Sequence, residues 1–453
     1  MLAIRSFSLL ALSAAGFALV SLSGSTQARQ PKDDLPKSPP NVLAYKDGAA
    51  DPKKAKEAFA AFAKYNAEYI AHPKVYSNPQ EFVPPPSKSG QVVQTTDQLI
   101  AELNRHIFAP LPGSQIGPDQ ADYIRELGLA LDTELKGVIE QNPTPIVKIN
   151  AARMLAAACR SGATAHYPTI TGLITNPNVS ADVKYQAFHA AANLLSAYDL
   201  NDYPIRTKHS NKPKEVSALV AAVQNAILKP GGILPAPPAG MELAPDQVDV
   251  LRFIRRQAIR ALAKVRFAER APGVPPSPDL YPAFTLAQIA VSDPAIQPPP
   301  TETEIAEAVI GLCNMSPTGR DSDKAVYASA MSDAVATGII TFATRRAASQ
   351  LDKTIPWRFY GARLSEALKG WRPLFDPAYN PVKPIATLPA PKPVEDLVAE
   401  ADRRVLIPMF EANGPVDLNG LRQFRDLTLR ADPKKFTLSP FTSNPKLTLT
   451  KHN

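Results

Sequence analysis

Residues 147–159 read VKINAARMLAAAC, and residues 183–195 read VKYQAFHAAANLL. Each stretch opens on Val-Lys, carries Ala four residues after the Val, and stays apolar with small side chains to its end. The two Val-Lys pairs stand 36 residues apart (183 − 147). The likeness extends upstream, into ELKGVIEQNPTP at 134–145 and TITGLITNPNVSAD at 169–182. Leu135 aligns with Ile170, Ile139 with Ile174, and Pro143 with Pro177 after a slip of one residue. Val147 then aligns with Val183, Ala151 with Ala187, and Leu155 with Ala191. What repeats is therefore a helix, an Asn-Pro turn and a second helix.

Two more copies of the second helix follow. IRRQAIRAL at 254–262 lies 71 residues past Val183 (254 − 183), close to two periods, with SALVAAVQNAIL at 217–228 between them. TETEIAEAVIGLCNM at 301–315 puts Ala308 and Leu312 in the small and large apolar slots, after a longer interval. Small residues let neighbouring helices approach, and branched residues fill the space between layers. A two-helix unit of this size cannot bury its own apolar side, whereas a stack of copies can. The Val-Lys-x-x-Ala and Ile-Arg-x-x-Ala openings resemble the second helix of a HEAT unit. The chain is similar to HEAT and armadillo repeat proteins of a bacterial exported type, over 135–315 directly and over 96–376 by extension. The resemblance implies an all-α fold, an irregular α-solenoid of stacked helix pairs with proline-rich linkers, interrupted at 230–246 and 271–283.

The rest of the chain divides around that block. Arg5 is the only charge before residue 29, and Ser6 to Val20 is apolar. Thr26 and Ala28 supply small side chains at the positions a signal peptidase reads, so residues 1–28 read as a signal peptide cleaved after Ala28. Export to the periplasm or the extracellular space follows, with no membrane span after cleavage. Residues 29–95 form a proline-rich leader with one helix at about 51–71, capped by Asp51 and Pro52, with Phe59, Phe62, Tyr65, Tyr69 and Ile70 along one side. The helical repeat domain covers 96–376, and 377–453 holds a proline-rich linker, short helices at about 394–411 and 417–430, and a loose tail. Proline, 47 of 453 residues, is about twice the usual share, and runs such as PPP at 84–86 and 298–300 suggest linkers. Cys159 and Cys313 lie in helical patterns and read as two small core residues rather than a disulfide framework.

Catalytic spacings are scarce. HExxH, GxSxG, GxGxxG, a phosphate loop, an EF-hand loop and CxxC are all missing. Ser443 and Lys446 match only the letters of a serine–lysine pair. The six histidines, at 72, 106, 166, 189, 209 and 452, never pair at helical spacing, so no metal, cofactor or catalytic residue is assigned. Glu302, Glu304 and Glu307 near one helix start, and Asp396 with Glu400, suit the helix dipole and solvation better than acid–base work. Trp357, Tyr360, Leu364, Leu368 and Trp371 follow core spacing.

The strongest polar feature is the helix at 248–268. Leu251, Ile254, Ala258, Leu262 and Val265 form its buried stripe. Arg252, Arg256, Arg260 and Lys264, flanked by Arg255 and Arg266, make a basic ridge on the opposite side. The formal charge is +8, or +7 once Arg5 leaves with the signal (8 − 1). The ridge suits another protein or an acidic envelope polymer, while nucleic acid is not expected because aromatic interleaving is missing. The expected function is that of an exported, non-enzymatic helical-repeat scaffold or protein-interaction module. The alternative is a helical-array lyase or hydrolase acting on an envelope or extracellular polymer, in which Tyr185, His189 and Arg153 would converge in a cleft.

Overall fold

The structure is a computed structural model, and it describes residues 35–36, 38–49, 51–76, 94–108, 118–198, 213–235, 242–266, 282–315, 321–348, 356–371, 392–411 and 416–429. The chain divides into Met1–Leu35 and Pro36–Asn453; only the second unit is treated below. The signal peptide, most of the linker around PPP 84–86, the tail, His209, His452, Ser443 and Lys446 lie outside the described residues.

No strand occurs among the described residues; the fold is all-α. In chain order the helices are α1 (Pro52–Ile70), α2 (Thr96–Phe108), α3 (Pro118–Gln141), α4 (Pro145–Ala158), α5 (His166–Thr175), α6 (Ala181–Tyr198) and α7 (Pro213–Leu228). They continue as α8 (Pro245–Leu262), α9 (Pro282–Ala290), α10 (Glu302–Cys313), α11 (Asp321–Ala348) and α12 (Trp357–Trp371). Two further helices close the unit. In α13 (Lys392–Ala401), π-helical Asp402–Leu406 leads into Ile407–Phe410; α14 (Leu418–Phe424) ends in π-helical Arg425–Leu429.

The packing sorts these helices into two layers. Odd-numbered helices touch in series, α1 on α3, α3 on α5, α5 on α7, α7 on α9 and α9 on α11. Even-numbered helices form a second series, from α2 on α4 through α6, α8 and α10 to α12. Within pairs, α3 packs on α4, α5 on α6, α7 on α8 and α9 on α10. The result is a solenoid-like stack, and the four copies of the repeated helix are successive members of the even layer: α4, α6, α8 and α10. Their matched slots are all buried: Val147, Ala151 and Leu155; Val183, Ala187 and Ala191; Ile254, Ala258 and Leu262; Ala308 and Leu312.

The sequence explains where helices begin. Six of these helices, α1, α3, α4, α7, α8 and α9, open on proline. There the missing N–H costs nothing and the fixed φ suits the first turn. Six of the 47 prolines therefore start helices. Even PPP 298–300 is ordered: the Pro298 carbonyl accepts from Arg255 Nη1 at 2.8 Å and that of Pro300 from Arg345 Nη1 at 2.9 Å. Asp51 caps α1 by accepting from the backbone N–H groups of Lys53 and Lys54. Thr301 and Glu304 cap α10 reciprocally, with Thr301 N donating to Glu304 Oε2 at 2.7 Å and Glu304 N to Thr301 Oγ1 at 3.4 Å.

Helix packing extends beyond the repeat region at both ends. The helix read as part of a leader, α1, packs on α3, with Phe59 edge-on to Tyr123 at 5.4 Å between centroids. At the other end α13 and α14 pack on α11, so the stack continues on both sides of 96–376. The physical reason is the same at both ends: a terminal helix pair exposes an apolar flank, and these helices cover it. Cys159 and Cys313 are free and buried, and burial pushes both thiols up. No helix among the described residues is long and apolar enough to cross a membrane.

Candidate binding face

The even layer carries a concentrated polar and aromatic grouping, and the repeat explains why. Successive even helices present the same face at each step, so residues out of phase with the buried slots line up across α6, α8, α10 and α12. On α6, Tyr185 and His189 stand one turn apart with ring centroids 4.8 Å apart, edge to face. Tyr185 stacks on Phe253 of α8 at 4.9 Å and 18°. Phe253 is nonetheless 49% exposed. The Arg256 guanidinium lies 5.4 Å from the centre of that ring. Among the described residues, no carboxylate pairs with Arg256.

One turn further along α8, Arg260 meets Glu307 of α10. Arg260 Nε and Nη2 donate to Glu307 Oε1 at 2.9 and 2.7 Å. Arg363 of α12 donates from Nη1 to Oε1 at 2.9 Å and from Nη2 to Oε2 at 3.2 Å, and the Tyr360 hydroxyl adds a bond to Oε1 at 3.2 Å. Glu307 is 2% exposed. Beyond it Arg363 lies 5.3 Å over the ring of Phe359, which is 54% exposed.

The electrostatics follow from this arrangement. Burial alone would raise the Glu307 carboxyl, but hydrogen bonds from Arg363 and Arg260 overcome it and hold the group below its usual range. Burial raises the Tyr360 hydroxyl, and the Glu307 charge beside it adds to the effect. His189 is lowered, first by burial and then by the Arg260 charge, both of which disfavour its charged form. The three guanidiniums Arg256, Arg260 and Arg363 outweigh one carboxylate, a net of +2 (3 − 1).

The basic ridge read from the sequence is redistributed. Arg255 does not stand on it: at 1% exposure it turns inward, where Nε and Nη2 grip Glu304 at 2.6 and 3.1 Å. Arg252, Arg256 and Arg260 are half-buried, and Lys264 is exposed. The reason is that α8 packs on α6, α7 and α10 together, leaving only a narrow strip open. The glutamates change as well. Glu304 and Glu307 are buried in arginine clamps rather than solvated, while Glu302 faces Arg345 at 3.5 Å. Of the convergent set proposed for an enzyme, Tyr185 and His189 meet, but Arg153 turns to Asp97 of α2.

The phase of the aromatics on α12 was legible in part. Tyr360, Leu364, Leu368 and Trp371 are buried as their spacing indicates, and Trp357 is half-buried. Phe359 and Phe253 were missed as surface residues. An aromatic out of phase with the core stripe, with arginine three or four residues on, is the pattern both share. Elsewhere, Asp132, His166 and Thr169 form a second polar cluster: His166 Nδ1 and Asp132 Oδ1 are 2.9 Å apart, and Thr169 Oγ1 donates to Asp132 Oδ2 at 2.7 Å. His166 is fully buried there. Among the described residues, no group of three or more His, Cys, Asp and Glu side chains is placed to hold a metal ion.

No protein-family model, no curated protein and no solved structure matches this chain.

Proposed function

We propose that this chain is a non-enzymatic interaction module, a HEAT- or armadillo-like scaffold exported across the inner membrane, whose even-layer face binds another macromolecule. The observation that carries the reading is Arg256 on exposed Phe253, a guanidinium without a carboxylate among the described residues and on an aromatic shelf. Arginine and aromatic side chains are enriched where proteins meet, because they combine a large contact area with directional hydrogen bonds. The test is site-directed. A photo-crosslinking residue replaces Phe253, and a second chain carries it in place of exposed Lys136 on α3. Capture of a specific partner from envelope extract at position 253 but not at 136 is the expected result. Equal capture at both positions, or none at low salt, would end the reading.

A second reading has one observation in its favour, the grouping of Tyr185 and His189 with Arg260 and Glu307. A lyase or hydrolase on an acidic polymer would use such a set. However, both oxygens of Glu307 already accept guanidinium bonds, so the carboxylate is not free to take a proton from a substrate. Incubation with acidic polysaccharides, followed by ultraviolet absorbance of unsaturated products, tests the lyase form of this reading; release of such products in a His189-dependent way would establish it.

A further inference from the structure

The face also indicates what kind of partner it fits. Its open groups are of two kinds, guanidinium N–H donors and phenylalanine rings. Arg256 has five N–H donors in a planar fork that matches a carboxylate. Phe253 on α8 and Phe359 on α12 flank it, with α10 between them. Packed helices lie about 8–10 Å apart, so two steps set the axes of α8 and α12 about 16–20 Å apart. An extended chain advances about 3.3 Å per residue, which makes that span about six residues with both side chains on one face.

Charge selects among occupants. A second copy of this chain carries the same formal charge of +8. The segment 430–453 has Arg430, Lys434, Lys435, Lys446 and Lys451 against Asp432, a net of +4 (5 − 1). Both are repelled by a face of like sign. An acidic polysaccharide supplies carboxylates but carries no aliphatic side chains to cover the exposed rings of Phe253 and Phe359. We propose that the band formed by Phe253, Arg256, Arg363 and Phe359 binds an extended acidic segment of another protein, pairing its carboxylates with guanidiniums and seating two apolar side chains, about six residues apart, on the two phenylalanines. This rests on the interaction-module reading above and deepens it.

The experiment uses the purified chain and a labelled peptide with two leucines six residues apart and glutamates at the alternate positions between them. Fluorescence anisotropy at low salt reads binding. The expected result is saturable binding that weakens about tenfold or more in Arg256→Glu and in Phe253→Ser, is unchanged in Lys136→Glu, and fades with added salt. Arg256→Gln, which keeps the size of the side chain, is expected to lose most of the affinity with an unaltered thermal unfolding curve. Binding that is absent, or equally weakened by Lys136→Glu, overturns the proposal. So does displacement of the peptide by polygalacturonate at lower carboxylate concentration than by the peptide itself, or equal binding of a peptide with adjacent leucines. If position 253 crosslinks a partner through a segment without acidic residues, this inference fails while the interaction-module reading stands.

Discussion

Among the described residues, the deepest ion pair joins Arg255 and Glu304, with both side chains at most 1% exposed. Such a pair roughly breaks even against apolar residues of similar shape, yet loss of one partner strands a buried charge. Arg255→Met alone is therefore expected to cost about 3–5 kcal/mol in urea unfolding, and Glu304→Leu a comparable amount. The double substitution should recover most of that loss, with a coupling energy read from the double-mutant cycle. Additive losses would show that the two residues do not act as a pair. Glu307 gives a pH-dependent counterpart. Its carboxyl lies lower in the folded chain than in the unfolded one, so its contribution is complete above the ordinary carboxylate range and disappears as pH falls through the lowered value. Stability should fall as acid is added below about pH 4–5. In Glu307→Gln the slope should be shallower over that window. An unchanged slope would mean that the arginine clamp does not differ between folded and unfolded chains. Part of this was written in the sequence. The first three copies place Val147, Val183 and Ile254 in a slot that the fourth gives to Glu304, and a carboxylate in an apolar slot announces a buried partner.

At the level of helices, glycine tests how tightly the layers approach. A methyl group on Gly311 of α10 would stand 2.7 Å from Ala263 Cβ and 2.7 Å from Leu286 Cδ1. Gly172 on α5 has nothing within 4 Å of the same position. Alanine improves helix propensity by about 1 kcal/mol at either site, but overpacking costs about 1–3 kcal/mol where neighbours cannot yield. Gly172→Ala is expected to raise the melting temperature and Gly311→Ala to lower it. The same sign for both would remove the argument that α10 is held against Ala263 by close contact. The helices themselves were readable because core spacing and proline starts reinforce each other, as at Pro52–Ile70 and Pro118–Gln141. Which side of α8 faces water was not. That depends on how many neighbours a helix acquires, and α8 acquires three. Periodicity gives a helix one buried stripe, while the stack covers a second stripe where the next helix of the same layer packs, here α10 on α8. Arg255 lies in that second stripe, which is why it left the ridge.

For the whole molecule, the arrangement of contacts matters more than their number. Each helix of the stack touches its predecessor and successor within a layer and its neighbours across layers, as α10 touches both α9 and α11. Stability in such an array is close to a sum of unit and interface contributions, so damage at one junction opens the chain locally instead of everywhere. The junction between α8 and α10 is held by the Arg255–Glu304 pair and by the bond from Arg255 Nη1 to the Pro298 carbonyl. It is crossed again by Arg260 and Glu307, whose other clamp, Arg363, ties in α12. Weakening it should therefore divide the stack between α1–α8 and α9–α14. In Arg255→Met, hydrogen exchange is expected to lose protection in α10, α11 and α12 by a larger factor than in α3, α4 and α6. The terminal helices α13 and α14 should follow α11, on which they pack. A uniform loss along the chain would indicate a single cooperative core in which the layers do not act as serial units. If the division is observed, the binding band lies across that seam, because Phe253 and Arg256 stand on one side of the junction and Phe359 and Arg363 on the other. A ligand that spans both sides would then close the seam. The protection lost in Arg255→Met should return on adding the acidic peptide, and only in α10 to α14.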